Sequence, residues 1–92
     1  MAQAGVTLKI MPKTVEVDRT VLMEEVKKVI TEIYGDVGET REEEEPVAFG
    51  LVAMKITFII DESKGTDEIE EKAAAIPGVS SAKVIDFRRA LG

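Results

Sequence analysis

The chain has 92 residues, of which 45% are hydrophobic and 33% are charged, and its formal net charge is −6. This composition predicts one folded domain over residues 1–92, because a disordered segment of this length contains fewer apolar residues. The excess of acidic side chains argues against nucleic-acid binding, since the neutralisation of phosphates requires clustered lysine and arginine.

The residue types that are absent restrict the possible chemistry. The sequence contains no cysteine and no histidine. Disulfides, thiolate metal sites and Ser–His or Cys–His nucleophiles are therefore excluded, which leaves an enzyme only a Ser–Lys pair or carboxylates. No segment has the length of a membrane span, and the N-terminus lacks the pattern of a signal peptide. We expect a cytoplasmic protein that is not an enzyme and that needs no cofactor, no metal and no membrane.

The first half of the chain begins with a predicted strand and a predicted helix. Residues 6–11 alternate between apolar and polar positions, as in a strand, and Pro12 ends this pattern. Asp18 is a suitable cap for a helix that runs to Tyr34 and stops at Gly35. Its apolar stripe, at steps of three and four residues, consists of Leu22, Val26, Val29, Ile30 and Ile33.

Residues 38–45 are almost entirely polar, and we interpret them as an edge strand, where charges discourage pairing with other chains. The four glutamates of residues 42–45 also suggest a site for a divalent cation. However, the alternation of side chains along a strand would divide them between two faces and leave no cage. We therefore predict a solvated edge rather than a metal site.

The second half repeats the order of strand, helix and strand. Residues 52–60 form the clearest strand, with large apolar side chains at the even positions. A second helix follows, in which Asp67 and Glu70 have the spacing of a capping box and Pro77 with Gly78 ends the helix. Its narrow apolar stripe consists of Ile69, Ala73 and Ile76. Ser80–Arg89 is the last predicted strand.

The predicted order is strand, helix, strand, strand, helix, strand, a split βαβ unit that occurs twice, over residues 5–45 and 47–89. The closure that buries every apolar face is a four-stranded antiparallel sheet with both helices on one face. We therefore predict an α+β protein of the ferredoxin-like βαββαβ class.

Phe49 lies between two small residues, Ala48 and Gly50, at the start of the clearest strand. An unbroken register places Phe49 on the face away from the helices, but Gly50 can introduce a bulge or a bend there. The residues alone leave two interpretations open. The ring either caps the end of the core or is an exposed anchor that inserts into a pocket of a partner.

Four motifs occur in a characteristic order along the chain. The first strand ends in Met-Pro at Pro12, and the central segment at residues 44–60 reads EEPVAFGLVAMKITFII. The second helix closes with IPGV at residues 76–79, and residues 86–89 read DFRR. Together these motifs resemble the elongation factor 1-beta family in its short archaeal form, and PVAFG at the start of the central strand is the most specific of them.

The resemblance implies a ferredoxin-like domain that acts as the guanine nucleotide exchange factor of elongation factor 1-alpha. This GTPase delivers aminoacyl-tRNA to the ribosome and must release GDP between rounds. The domain is the C-terminal part of a longer chain in eukaryotic relatives, and we expect it to stand alone here. We also expect a monomer that makes no direct contact with nucleic acid.

The resemblance also implies which residues contact the GTPase. The family's phenylalanine corresponds to Phe49, which inserts into the nucleotide domain, and Ala48 and Gly50 let the ring protrude. Eukaryotic members use a lysine next to the C-terminus to disturb the magnesium and phosphate site. This sequence departs from that pattern, and our hypothesis is that Arg88 or Arg89 takes part of that role.

Two alternatives come from other classes of protein. Ferredoxin-like domains also serve as regulatory modules that bind a small metabolite, and residues 61–67 (DESKGTD) are the candidate ligand loop. A surface turn explains this segment adequately. The other alternative is a structural module that forms oligomers.

Overall fold

A computed structural model describes residues 3–90 and contains the predicted order of elements. The elements are β1 (Gln3–Pro12), α1 (Arg19–Tyr34), β2 (Arg41–Pro46), β3 (Val52–Asp61), α2 (Asp67–Ala74) and β4 (Val79–Ala90). The strands form one antiparallel sheet in the order β2-β3-β1-β4. This arrangement confirms the predicted ferredoxin-like class. The C-terminal residues 91–92 lie outside the described residues.

The ends of α1 lie where the sequence places them. An oxygen of the Asp18 side chain accepts hydrogen bonds from the backbone N–H groups of Thr20, at 3.0 Å, and Val21, at 3.3 Å. These bonds satisfy donors that have no partner within the helix. At the other end, Gly35 has a φ of 80° and donates its N–H to the carbonyl of Thr31. Local capping chemistry therefore determines both ends of this helix.

The core lies between the helices and the even-numbered face of β1 and β3. Phe58 is its largest fully buried side chain, and Tyr34 packs against it with 5.7 Å between the ring centroids. No polar or charged side chain in residues 3–90 is buried. Neither helix in the described part of the chain reaches the length and hydropathy needed to span a membrane. The predicted stripe of α2 is confirmed for Ile69 and Ala73, which are buried, whereas Ile76 is buried but lies beyond the end of the helix at Ala74.

The capping box predicted for α2 is wrong. The helix begins one residue earlier than that motif requires, with Thr66 as its cap and no hydrogen bond from a capping side chain. Glu70 instead accepts a hydrogen bond of 2.7 Å from the backbone N–H of Val84 on β4. The spacing of Asp67 and Glu70 thus reflects a tertiary contact and not a local cap.

The glutamates of β2 divide between the two faces of the sheet, as alternation predicts. Glu44 forms an ion pair of 2.7 Å with Arg19, and Glu42 pairs with Lys27, so both carboxylates face α1. Glu45 has the opposite parity and faces the open side of the sheet. The ion pairs of Glu44 and Glu42 link β2 to α1, and the outer edge of β2 remains charged.

A bulge in β4 changes which residues of the strand face the helices. The pairing with β1 shifts at Ile85, so that Val84 lies opposite Leu8 while Phe87 lies opposite Val6. Leu8 and Val6 are both fully buried, and residues directly opposite each other share a face. Val84 and Phe87 therefore face the same side of the sheet although their numbers have opposite parity.

Candidate partner-binding site

The connection between β2 and β3 carries the most exposed large apolar side chain in residues 3–90. We name residues 47–51 the Phe49 turn. Ala48, Phe49 and Gly50 are all exposed at its tip, and 95% of the Phe49 surface is accessible to water. The interpretation of Phe49 as a cap on the core is therefore wrong. The alternative from the sequence, an exposed ring between two small neighbours, agrees with this geometry.

The backbone of the Phe49 turn is held in an unfavourable conformation. Phe49 has φ 63° and ψ 27°, and it is the one residue other than glycine with a positive φ in the described part of the chain. This conformation costs a residue with a side chain about 1–2 kcal/mol. Gly50 follows with a φ of 76°. Two positive φ angles interrupt the strand, so Phe49 does not begin β3 as predicted, and pairing starts at Val52.

Hydrogen bonds and the adjoining strands maintain this conformation. The N–H of Val47 donates to the carbonyl of Leu51 at 2.9 Å, and the N–H of Leu51 donates to the carbonyl of Ala48 at 3.3 Å. Such strain persists only where the surroundings impose it, and it is concentrated at binding and catalytic sites. The turn is therefore a rigid support that directs an aromatic ring into solvent.

Glu45, which lies just before the Phe49 turn, joins the end of β2 to the two central strands. Its carboxylate accepts hydrogen bonds from the ammonium groups of Lys55, at 2.9 Å, and Lys9, at 3.3 Å. These bonds and the two positive charges hold the pKa of the Glu45 carboxyl below its ordinary value of 4.5. This cluster stabilises the base of the turn on the open face of the sheet.

The other predicted contact residues, Arg88 and Arg89, lie at the opposite end of the sheet. Arg88 and Ile59 are both paired with the same residue of β1. Seven residues of β3 separate Ile59 from Val52, beside the Phe49 turn, which corresponds to about 23 Å at 3.3 Å per residue. The structure therefore does not bring the arginines and Phe49 together into one compact site.

The two arginines differ in their surroundings. Arg88 is 83% exposed and forms an ion pair of 3.0 Å with Asp86 on its own strand. Arg89 points to the other face and forms an ion pair of 2.5 Å with Glu62, across the connection that follows β3. Both guanidinium groups are near the surface, and the ion pair with Glu62 competes with any other anion for Arg89.

The candidate metabolite loop at residues 61–67 uses its polar groups internally. Asp61 accepts a hydrogen bond of 2.9 Å from the N–H of Ser63, and this bond holds the pKa of the Asp61 carboxyl below its ordinary value. Its backbone carbonyl accepts from the N–H of Lys64, and the carbonyl of Gly65 accepts from the hydroxyl of Tyr34 at 2.7 Å. The segment is a closed surface turn that is tied to α1.

Sequence reasoning missed Val15 as a neighbour of the Phe49 turn. It belongs to the connection between β1 and α1, and 58% of its surface is exposed. Its Cγ1 atom lies 3.7 Å from the place where a Cβ on Gly50 would be. The only available signal was an apolar residue in a polar loop, Lys-Thr-Val-Glu, which fits neither the strand pattern nor the helix pattern.

The fold and the turn together define a ferredoxin-like domain that presents a single aromatic ring on a rigid support, an arrangement typical of protein-binding domains. Comparison with known proteins gives the family. Residues 5–90 match the model of the EF-1 guanine nucleotide exchange domain. The chain therefore belongs to this family, and its function is guanine nucleotide exchange.

The similar proteins are archaeal and share nearly the full length of the chain. Elongation factor 1-beta of Methanosphaera stadtmanae is 39% identical over 90 residues, which cover 97% of this chain and 98% of that protein. Elongation factor 1-beta of Methanosarcina barkeri is 39% identical over 93 residues, with coverage of 97% and 99%. The protein of the same name from Methanobrevibacter smithii is 40% identical over 91 residues, with coverage of 97% and 98%. The family suggested by the sequence motifs is thus confirmed.

Proposed function

We propose that this protein promotes the release of GDP from elongation factor 1-alpha, so that GTP can bind and the form that accepts aminoacyl-tRNA is regenerated. It acts in the cytoplasm as a monomer, through contact with the GTPase in its GDP-bound and nucleotide-free forms and without direct contact with nucleic acid. It contributes no chemical step of its own, because only binding is needed for exchange.

The observation that carries this proposal is the exposure of Phe49 on a strained turn. A buried aromatic ring removes about 150–250 Å² of surface from water. A ring that is 95% exposed in the free protein has nearly all of that area available for a partner. The turn is already in place before binding, so little ordering is needed, and pre-organisation of this kind increases affinity.

Exchange follows from the difference between two affinities. If the protein binds the nucleotide-free GTPase more tightly than the GDP-bound GTPase, it weakens the binding of GDP by the same factor. A thousandfold difference corresponds to about 4 kcal/mol. Interface anchors contribute at least about 2 kcal/mol each. Insertion of Phe49 into a pocket that is open only without nucleotide therefore accounts for a large part of such a difference.

Arg88 and Arg89 belong to the proposal as a second and separate contact. They lie about 23 Å from the start of β3, so a GTPase that contacts both Phe49 and the arginines must extend along the whole sheet. Arg88 is the better candidate, because its one ion pair among residues 3–90 is with a neighbour on its own strand. Arg89 is held by Glu62, and that ion pair competes with any anion of the partner.

The test is the release of a fluorescent GDP analogue from elongation factor 1-alpha of the same organism. We expect the wild-type protein to accelerate release and Phe49→Ala to lose most of the acceleration. Phe87→Ala removes a half-exposed ring elsewhere in the chain and serves as the matched control. Absence of acceleration by the wild-type protein, with a GTPase shown to be active, would contradict the proposed function.

The same assay tests the arginines one at a time. We expect Arg88→Ala to slow exchange more than Arg89→Ala, because within residues 3–90 Arg88 pairs only on its own strand whereas Arg89 pairs with Glu62. Exchange rates that match the wild type in both variants would remove the arginine pair from the proposal and leave Phe49 in it.

A further inference from the structure

Three connections meet at the end of the molecule that carries the Phe49 turn. They are the Phe49 turn itself, the segment between β1 and α1, and the segment between α2 and β4. A hydrogen bond of 2.8 Å from the N–H of Lys13 to the carbonyl of Gly78 joins the last two. Between them is a groove of about 370 Å³, whose apolar lining consists of Val17, Val21, Leu22, Ile76 and Pro77. We name it the apolar groove.

The connection from β1 to α1 links the apolar groove to the Phe49 turn. Its Val15 side chain lies beside Gly50, while its Val17 side chain lies 3.4 Å from the place where a Cβ on Gly78 would be. The large apolar residues that are exposed in residues 3–90 are Val15, Val21, Phe49, Ile59, Ile85 and Phe87. Three of these six residues, Val15, Val21 and Phe49, lie at this end of the molecule. Single exposed apolar residues are common on protein surfaces. A group of them beside Phe49 instead indicates an interaction surface.

The area needed for a specific interface also points to this end of the molecule. A protein–protein interface buries about 800 Å² on each partner. One phenylalanine ring supplies about 150–250 Å². The partner that receives Phe49 must therefore cover neighbouring surface as well, and the groove lies at the same end of the molecule, joined to the Phe49 turn by the connection from β1 to α1.

The rim of the apolar groove indicates the chemistry of the segment that fills it. Asp18 and Glu25 line its edge beside the apolar residues. Asp18 is used as the cap of α1, and Glu25 forms an exposed ion pair of 3.4 Å with Lys28. The chain as a whole carries a net charge of −6. Charge complementarity therefore favours an apolar segment flanked by lysine or arginine.

We infer that the apolar groove is a second contact for the GTPase that binds Phe49, and that it receives an apolar segment flanked by a basic residue. This inference rests on the proposed function. Phe49 and the apolar groove then contact the partner side by side at one end of the domain. The groove adds affinity and fixes the orientation of the ring.

The test is the affinity of the protein for nucleotide-free elongation factor 1-alpha after Val21→Lys. Val21 lies in the first turn of α1 with 54% of its surface exposed, so the fold does not depend on it. The lysine removes apolar contact and repels the basic flank. We expect the dissociation constant to rise at least about tenfold. A tenfold change corresponds to about 1.4 kcal/mol, which is roughly the contribution of two buried methylene groups. The matched control is Thr31→Lys, which adds the same charge to the exposed side of α1 outside the groove. We expect this variant to bind like the wild type.

A second variant, Val21→Glu, keeps the test valid if the lysine disturbs the helix. A glutamate at this position completes a capping box with Asp18, so the helix is expected to be at least as stable as in the wild type. We expect Val21→Glu to bind more weakly than the wild type but more tightly than Val21→Lys. Wild-type affinity in both folded variants would overturn the inference while leaving the proposed function intact. A wild-type protein that neither binds the GTPase nor accelerates GDP release would overturn both.

Discussion

Two phenylalanines, nine residues apart on the same segment, have opposite surroundings. Phe58 lies within β3 and is 1% exposed, whereas Phe49 lies just before β3 and is 95% exposed. Phe58 belongs to the buried core, where it lies opposite Val6 of β1 and packs against the ring of Tyr34 on α1 at 5.7 Å. Phe49 projects from a turn whose backbone is held at a positive φ.

The difference shows that residue type does not decide the role of an aromatic side chain. Alternation along β3 directs Phe58 to the helices, and burial of its ring stabilises the fold. The turn directs Phe49 away from every element, where it adds nothing to the core and its backbone costs about 1–2 kcal/mol. A stable domain retains such a residue when its ring is used by a partner, and the proposed exchange function supplies that use.

The largest expected effect on stability is that of Phe58→Ala. Loss of a fully buried ring leaves a cavity and is expected to reduce the free energy of unfolding by about 3–5 kcal/mol. Denaturant unfolding followed by circular dichroism measures it. Phe87→Ala, at a half-exposed position, is the matched control and should cost much less. Equal losses in the two variants would contradict the account of the core.

Gly50→Ala is expected to have an intermediate effect. A Cβ here would meet Val15 Cγ1 at 3.7 Å, an ordinary contact, so the cost arises from the φ of 76° and is about 1–2 kcal/mol. Gly65→Ala is the matched control, because its Cβ would meet nothing within 4 Å and its φ is not positive. Thermal unfolding compares the two variants. If Gly65→Ala cost as much as Gly50→Ala, the backbone of the Phe49 turn would not be the cause.

Glu45→Gln is expected to have the smallest effect, and that effect depends on pH. The pKa of Glu45 is lower in the folded state than its ordinary value of 4.5, because Lys55 and Lys9 stabilise the carboxylate. Its contribution to stability is therefore present above that value and is lost as the pH falls through the folded-state pKa. Unfolding at a series of pH values should give the wild type a higher free energy of unfolding than Glu45→Gln near neutral pH. This difference should disappear in acid.

Glu43→Gln is the matched control for that pH series. It removes a carboxylate from the same strand, at a position with no ion pair among residues 3–90, and we expect a profile close to that of the wild type. A constant difference between the wild type and Glu45→Gln at every pH would show that the ion pairs with the lysines are not its source.

Much of the fold could be predicted because its signals are local. The cap at Asp18, the stop at Gly35 and the alternation along β3 act within a few residues, and each was confirmed. The same topology also implies that the end of β4 and the start of β3 lie far apart. The separation of Arg88 from Phe49 could therefore have been predicted from the order of the strands.

The remaining features depend on contacts between distant segments. Glu70 bonds to Val84 across the interface between α2 and β4, which no local capping rule foresees. The bulge at Ile85 arises from the pairing of β4 with β1. The direction of the Phe49 ring depends on how the turn closes between two paired strands, so the sequence left two interpretations open. Val15 joins the candidate site only through the packing of its loop against Gly50.

The role of Phe49 is tested most directly by two measurements on Phe49→Ala in the same preparation: the free energy of unfolding and the affinity for nucleotide-free elongation factor 1-alpha. We predict a free energy of unfolding within about 0.5 kcal/mol of the wild type, because the ring is 95% exposed and lies outside the core. We predict an affinity at least about thirtyfold weaker, the equivalent of roughly 2 kcal/mol for an interface anchor. A loss of stability with unchanged affinity would show that Phe49 serves the fold and not the partner.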